Sequence, residues 1–321
     1  MDAASERFVE RLGRGPAALL LGQSHLALGG ATDALLEALR RKLDVAGDTG
    51  GYSALLGHPV AAESGFLDWL AERSRRFAAS EHLEVIAQYP WVGVWSSAID
   101  SIWADVFEKS WREVQKVFTE TYRPPDPRNR HRLHCTYLYG SVNRSDPEEG
   151  APTTRVEYLQ RRGTAQALAR RLIPIVGPTG TLAVEAFGVD DWFTVDDLVG
   201  LVAQMQPEQC HVFSADQSLL QRPEIVELMT RRLLVAHQGS LAGALAAAHE
   251  AGILELGATA EAGDLQRTVS FAGRAHTVPR DLWVEFTSAA HLLAMASTES
   301  THCPTLGSSV PVSMFGLVSP D

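Results

Sequence analysis

Short apolar runs alternate with helix-like patterns along most of the chain, and no other feature limits the fold as much. The runs fall at residues 17–21, 91–95, 134–139, 181–187, 210–213 and 233–236. Between them, leucines and aromatic residues recur at helical offsets, as at Leu35, Leu36 and Leu39. Strands separated by helices must be joined by crossovers, which makes neighbouring strands parallel and covers both faces of the sheet. The expected class is α/β, a Rossmann-like parallel sheet with helices on both faces.

One stretch departs from the alternation. Between residues 50 and 88, Phe66, Trp69, Leu70 and Phe77 keep helical spacing behind a candidate N-cap, Ser64, with no strand between them. This predicts a small helical insert in the first crossover. Further on, Ile99, Ile102, Trp103, Val106, Phe107, Trp111, Val114 and Phe118 follow the i, i+3, i+4, i+7 rhythm, which predicts one helix of about five turns. Ser97-Ala-Ile-Asp100 has the spacing of a capping box at its start, and Thr194-Val-Asp-Asp197 has the same spacing before another helix. After Gly263 the pattern weakens: residues 279–296 read as one more helix, and 298–321 as a linker-like tail leading to a further domain of a longer protein. The expected organisation is a Rossmann-like domain over residues 1–49 and 89–262, a helical insert over 50–88, and a C-terminal segment over 263–321.

Composition removes several classes of function. A net charge of −11 without a basic stripe argues against direct nucleic-acid binding. The first 14 residues carry Asp2, Glu6, Arg7, Glu10 and Arg11, unlike a secretory signal, and no apolar run approaches the roughly 18–20 residues of a membrane span. Cys135, Cys210 and Cys303 lack paired spacing, which points to a reducing cytoplasm and no cysteine-bound zinc. The histidines form no metal signature, so no metal is expected.

Open parallel sheets bind ligands beyond the carboxyl ends of their strands, where strand order reverses. Those ends carry Gly22-Gln23-Ser24-His25, Ser96-Ser97-Ala98-Ile99-Asp100, Tyr139-Gly140-Ser141-Val142-Asn143 and Gly188-Val189-Asp190-Asp191. Small and polar residues at all four ends suit a nucleotide cleft, with N–H groups for phosphates and carboxylates or amides for ribose hydroxyls. Asp100 also has a plain alternative as a helix cap, with a charge that stabilises by roughly 0.3–1 kcal/mol.

In order and spacing, these four segments resemble the sirtuin superfamily, in particular the divergent sirtuin-like domains of bacterial antiphage defence proteins. The family pattern runs G-A-G-x-S, a helical insert, T-x-N-x-D, H-G, and a late G-x-S-x-x-D. Here Gly22, Asp100, Gly140 and Asp191 match, while Ala98 stands at the family asparagine and Tyr139 at the family histidine. The resemblance implies NAD+ as substrate or ligand, bound by Gly22, Gln23, Ser24, Ser96, Ser97, Asp100, Tyr139, Gly140, Ser141 and Asp191. It also implies hydrolysis between nicotinamide and ribose, and a homo-oligomer or a defence-system partner protein.

Cleaving that bond builds positive charge on the ribose, so the site needs groups that oppose it and position water. Alanine at 98 cannot hydrogen-bond, and Tyr139 is a poor base. His25, with an ordinary pKa near 6.5, is the candidate substitute, acting with Asp100. Two readings therefore stand: an NAD+ glycohydrolase working through His25 and Asp100, and a catalytically degenerate fold that senses a nucleotide or mediates oligomerisation. An unrelated Rossmann-type enzyme ranks third.

Overall fold

The computed structural model describes residues 3–45, 51–63, 65–110, 112–121, 132–144, 146, 148–214, 216–254, 256, 266–271 and 274–279. The chain divides into two compact units, Met1–Ala258 and Thr259–Asp321.

The first unit is built on a seven-stranded sheet. Its strands are β1 (Ala17–Leu21), β2 (Gly93–Ser96), β3 (Glu113–Val117), β4 (Arg132–Tyr137), β5 (Thr181–Glu185), β6 (Cys210–Phe213) and β7 (Leu234–His237). They lie in the order β3-β4-β2-β1-β5-β6-β7, and every ladder is parallel. From β1 the chain places β2 beside it, β3 at the edge of that side and β4 between them, then crosses back to place β5 on the other side. Strand order thus reverses between β1 and β5, where a ligand crevice is expected.

The unbroken apolar run Ala-Ala-Leu-Leu-Leu of β1 follows from its central place. Ala18 and Leu20 pack with Leu182, Val184, Leu35 and Leu39 on one face, and Leu19 and Leu21 with Phe8, Ile86, Phe107 and Leu245 on the other. Helices Ala34–Lys42, Phe66–Ser74, Arg155–Arg170, Val195–Val202 and Pro223–Thr230 cover the first face; Ala3–Leu12, Glu81–Ala87, Ile102–Glu108 and Leu241–Glu250 cover the second. Among the described residues no helix is long and apolar enough to cross a membrane.

The segment between β1 and β2 is helical as expected, with Tyr52–Leu56, Phe66–Ser74 and Glu81–Ala87 joined by a 3₁₀ turn at Pro59–Ala62. Gly65 occupies the N-cap of Phe66–Ser74 in a left-handed conformation, and Ser64 lies outside the described residues. The capping box at Thr194 and Asp197 is present in full.

The five-turn helix expected from residue 99 onward is not formed. Helix Ile102–Glu108 stops after two turns and the chain becomes strand β3. Val114 and Val117 are β-branched and favour the pleated form, and pairing with β4 secures it. Lys116 Nζ also reaches back to Glu108 at 2.8 Å, tying strand to helix end.

In the second unit β8 (Gln266–Phe271) and β9 (Arg274–Pro279) form an antiparallel pair, which the weak pattern after Gly263 did not announce. The expected helix over 279–296 meets the described residues only at Pro279, which ends β9; the rest of it, and the tail, lie outside them.

Candidate functional site

β1 and β2 pair with Leu21 opposite Ser96. Four residues beyond each lie His25 and Asp100, and the structure joins them. His25 Nε2 is 2.9 Å from Asp100 Oδ2 and 3.1 Å from Oδ1. Both side chains are buried, at 0% and 1% exposure. A carboxylate can only accept, so Nε2 carries the proton and Nδ1 is left for another partner, which no described residue supplies. Burial alone would lower the His25 pKa, but the charge and hydrogen bond of Asp100, with a further contribution from Asp33, outweigh it and raise the pKa. The net raised value favours the imidazolium.

Asp100 also accepts from Ile102 N at 2.9 Å through Oδ1. It therefore starts the helix and holds His25 at once. The capping box predicted from Ser97 is not made: the N-cap position is Ser101, whose side chain makes no cap bond. Ser97 instead ties the two strand ends through its main chain, its N–H donating to Leu21 O at 3.1 Å.

Asp191 fastens the loop after β5 to the loop after β1. Its Oδ2 accepts from Gln23 N at 2.7 Å and its Oδ1 from Phe193 N at 3.0 Å. Burial pushes its pKa up to about 6, partly offset by these donors. Gly22 lies against the same connection, where a Cβ would sit 2.1 Å from Ala186 O. Its lack of a side chain serves the close approach of two main chains. Ser24 N donates to Ala186 O, and Ser96 Oγ accepts from Ala98 N at 3.0 Å.

The third predicted segment forms a turn of its own. Tyr139 Oη donates to Trp192 O at 2.7 Å, sharing that acceptor with Tyr158. Burial drives the phenol pKa of Tyr139 far upward. Gly140 has φ +76° and backs onto Gly150, and Ser141 N donates to Glu149 O. The bond from Val142 N to Ile99 O, 2.9 Å, ties this loop to the one carrying Asp100. Ala98 is fully buried among apolar neighbours that include Trp103.

Three residues that the sequence reading overlooked complete the cluster. Asp33 caps helix Ala34–Lys42 through Leu36 N at 2.9 Å and accepts from Tyr52 Oη at 2.8 Å, both on Oδ1. Its buried Oδ2 has no partner among the described residues, and burial raises its pKa despite those two donors. An aspartate directly before Ala-Leu-Leu-Glu-Ala-Leu is a readable cap signal, but nothing in the spacing announces its nearness to His25. Tyr52 comes from the helical insert, which thus reaches over the pair. Glu185, the last residue of β5, is buried with a pKa pushed up to about 8 by burial, and accepts from Leu241 N at 2.9 Å.

A cleft of about 670 Å³ lies elsewhere, at the carboxyl ends of β3 and β4. It is lined by Phe118, Leu138, Arg144, Glu157 and Arg161, and by none of the predicted site residues. The buried cluster at the β1–β5 reversal has the chemistry that this cleft lacks: a hydrogen-bonded acid–base pair beside polar atoms without partners. Among the described residues no group of three histidines, cysteines or carboxylates is placed to hold a metal.

Together the fold and site define a Rossmann-like α/β protein with a buried histidine–aspartate pair joining the loops after β1 and β2, beside its topological switch point. The chain matches no known family model and no curated protein.

Proposed function

We propose that this chain is a cytoplasmic, sirtuin-like domain that binds NAD+ at the ends of β1, β2 and β5 and hydrolyses it, as an effector in antiphage defence. One observation carries the reading. The buried His25–Asp100 pair joins the loops after β1 and β2, next to the strand-order reversal, beside polar atoms that no described residue satisfies: His25 Nδ1, Asp33 Oδ2 and the Gln23 amide. Buried polar groups almost always have partners, so a polar ligand fits this set. NAD+ supplies the bond between nicotinamide and ribose, whose cleavage builds positive charge on the sugar. The carboxylates of Asp100 and Asp33 oppose that charge, and His25 Nδ1 holds or passes a proton.

A second reading, a nucleotide sensor or oligomerisation module without turnover, draws on two positions. Tyr139 commits its hydroxyl to Trp192 O and cannot act as a base near neutral pH. Ala98 offers no side-chain hydrogen bond.

Titrating NAD+ into the intact chain by calorimetry, with nicotinamide release followed by chromatography, separates the two. Hydrolysis predicts binding and release, with release lost in Asp100→Asn and His25→Ala. Binding without release selects the sensor, and light scattering with and without nucleotide then tests assembly. Absence of binding to both NAD+ and ADP-ribose refutes hydrolysis and sensing and leaves only the oligomerisation role, which light scattering tests. The defence role predicts a fall of cellular NAD+ on phage challenge, absent in Asp100→Asn.

A further inference from the structure

Gln23 is the least explained residue of the site. Its side chain is 2% exposed, yet neither Nε2 nor Oε1 has a hydrogen-bond partner among the described residues. The backbone on both sides is fixed: Gly22 N donates to Glu185 O at 2.8 Å, Gln23 N to Asp191 Oδ2 at 2.7 Å, and Ser24 N to Ala186 O at 3.3 Å. The crowding of Gly22 against Ala186 resists any shift of this segment. The amide therefore cannot reach water by a small backbone adjustment. A buried amide without partners destabilises the chain that carries it. In the resembling family this position is alanine, so the resemblance supplies no role for it.

An amide offers a donor and an acceptor in one plane. The group that satisfies both at once is planar and presents an acceptor and a donor side by side. We propose that Gln23 is a specificity residue that reads such an edge on the ligand: the carboxamide of a nicotinamide or the amino edge of an adenine. This rests on the nucleotide reading above. The two edges share one chemistry and sit at opposite ends of one dinucleotide, so a set of analogues tells them apart.

The test compares the wild-type chain with Gln23→Met, which keeps the volume and removes both hydrogen-bonding atoms. Melting without ligand, and calorimetry with NAD+, ADP-ribose, nicotinic acid adenine dinucleotide and nicotinamide hypoxanthine dinucleotide, are the readouts. The expected result is a higher melting temperature for unliganded Gln23→Met and at least a tenfold loss of NAD+ affinity. If the carboxamide is read, ADP-ribose binds both proteins equally and the nicotinic acid analogue binds wild type poorly. If adenine is read, ADP-ribose loses affinity as NAD+ does and the nicotinic acid analogue binds wild type as NAD+ does. A variant that melts lower than wild type, or that binds every nucleotide within twofold of it, overturns the proposal. Should wild type bind none of the four, the nucleotide reading fails by itself. Benzamide and adenosine then decide the role of Gln23, which stands if wild type binds either more tightly than Gln23→Met and falls otherwise.

Discussion

Replacing Asp100 by alanine tests the site where its electrostatics are most concentrated. The carboxylate makes three contacts of 2.9–3.1 Å, two with His25 Nε2 and one with Ile102 N, at a position 1% exposed. Removing one partner of a buried pair strands the other and typically costs about 3–5 kcal/mol. For a unit of this size 1 kcal/mol moves the melting temperature by roughly 2–4 °C, so Asp100→Ala should melt about 6–20 °C below wild type. The penalty has a definite pH dependence. The folded pKa of His25 is raised, so its pairing contributes fully below the unfolded value of about 6.5. That contribution is lost as pH rises through the raised folded value. Calorimetric melts of both proteins at pH 6, 7.5 and 9 should show the widest gap at pH 6 and a narrower one at pH 9. Asp191 and Glu185 titrate in both proteins and cancel to first order in the difference. A gap under about 2 °C, or one that does not change with pH, would refute the charged pair.

Glu185→Gln has the opposite effect on stability. The folded carboxyl is raised from 4.5 to about 8 by burial, so its contribution is present below about pH 4.5 and lost as pH climbs toward 8. The amide oxygen of glutamine can keep the bond to Leu241 N without the charge. At about 1.4 kcal/mol per tenfold change in proton affinity, the variant should gain up to about 4–5 kcal/mol over wild type at pH 9 and little at pH 5; urea unfolding at both pH values checks this, and equal gains would contradict it. Gly22→Ala forces a Cβ to within 2.1 Å of Ala186 O. It should lower stability by about 3 kcal/mol or more, beyond the roughly 1 kcal/mol range of a glycine whose role is backbone freedom alone. A melt within 3 °C of wild type would show that the two loops are not clamped there.

Much of the sheet was legible because its central strands are buried on both faces, so each shows as an apolar run bounded by turn residues. The exception is instructive. Val114 and Phe118 fit a helical period as well as a strand, and local spacing cannot decide between them; the pairing of β3 with β4, a contact across at least 15 positions of sequence, decides it. The site follows the same division. Gly22, Gln23, His25, Ser97, Asp100 and Asp191 were readable as polar residues at strand ends, and their hydrogen bonds bring these ends together. Tyr139, Gly140 and Ser141 were equally readable, yet their described bonds serve the loop after β4 and the Trp192 carbonyl.

The meeting of His25 with Asp100 depends on register, which no single-strand pattern contains. Leu21 pairs with Ser96, and each partner follows its strand end by the same four residues. Two connections that leave neighbouring parallel strands at one height, with equal offsets, bring their fourth residues together. That equality can be counted along the sequence once β1 and β2 are known to pair. Asp33 obeys no such count, because a 3₁₀ turn at His25–Gly30 and an extended link lie between β1 and the helix that Asp33 caps. One added residue between Ser96 and Asp100 would leave both strands in place, but it would shift the buried Ala98 and Ile99 and displace the aspartate from the imidazole. The pair is therefore a property of loop length as much as of residue type.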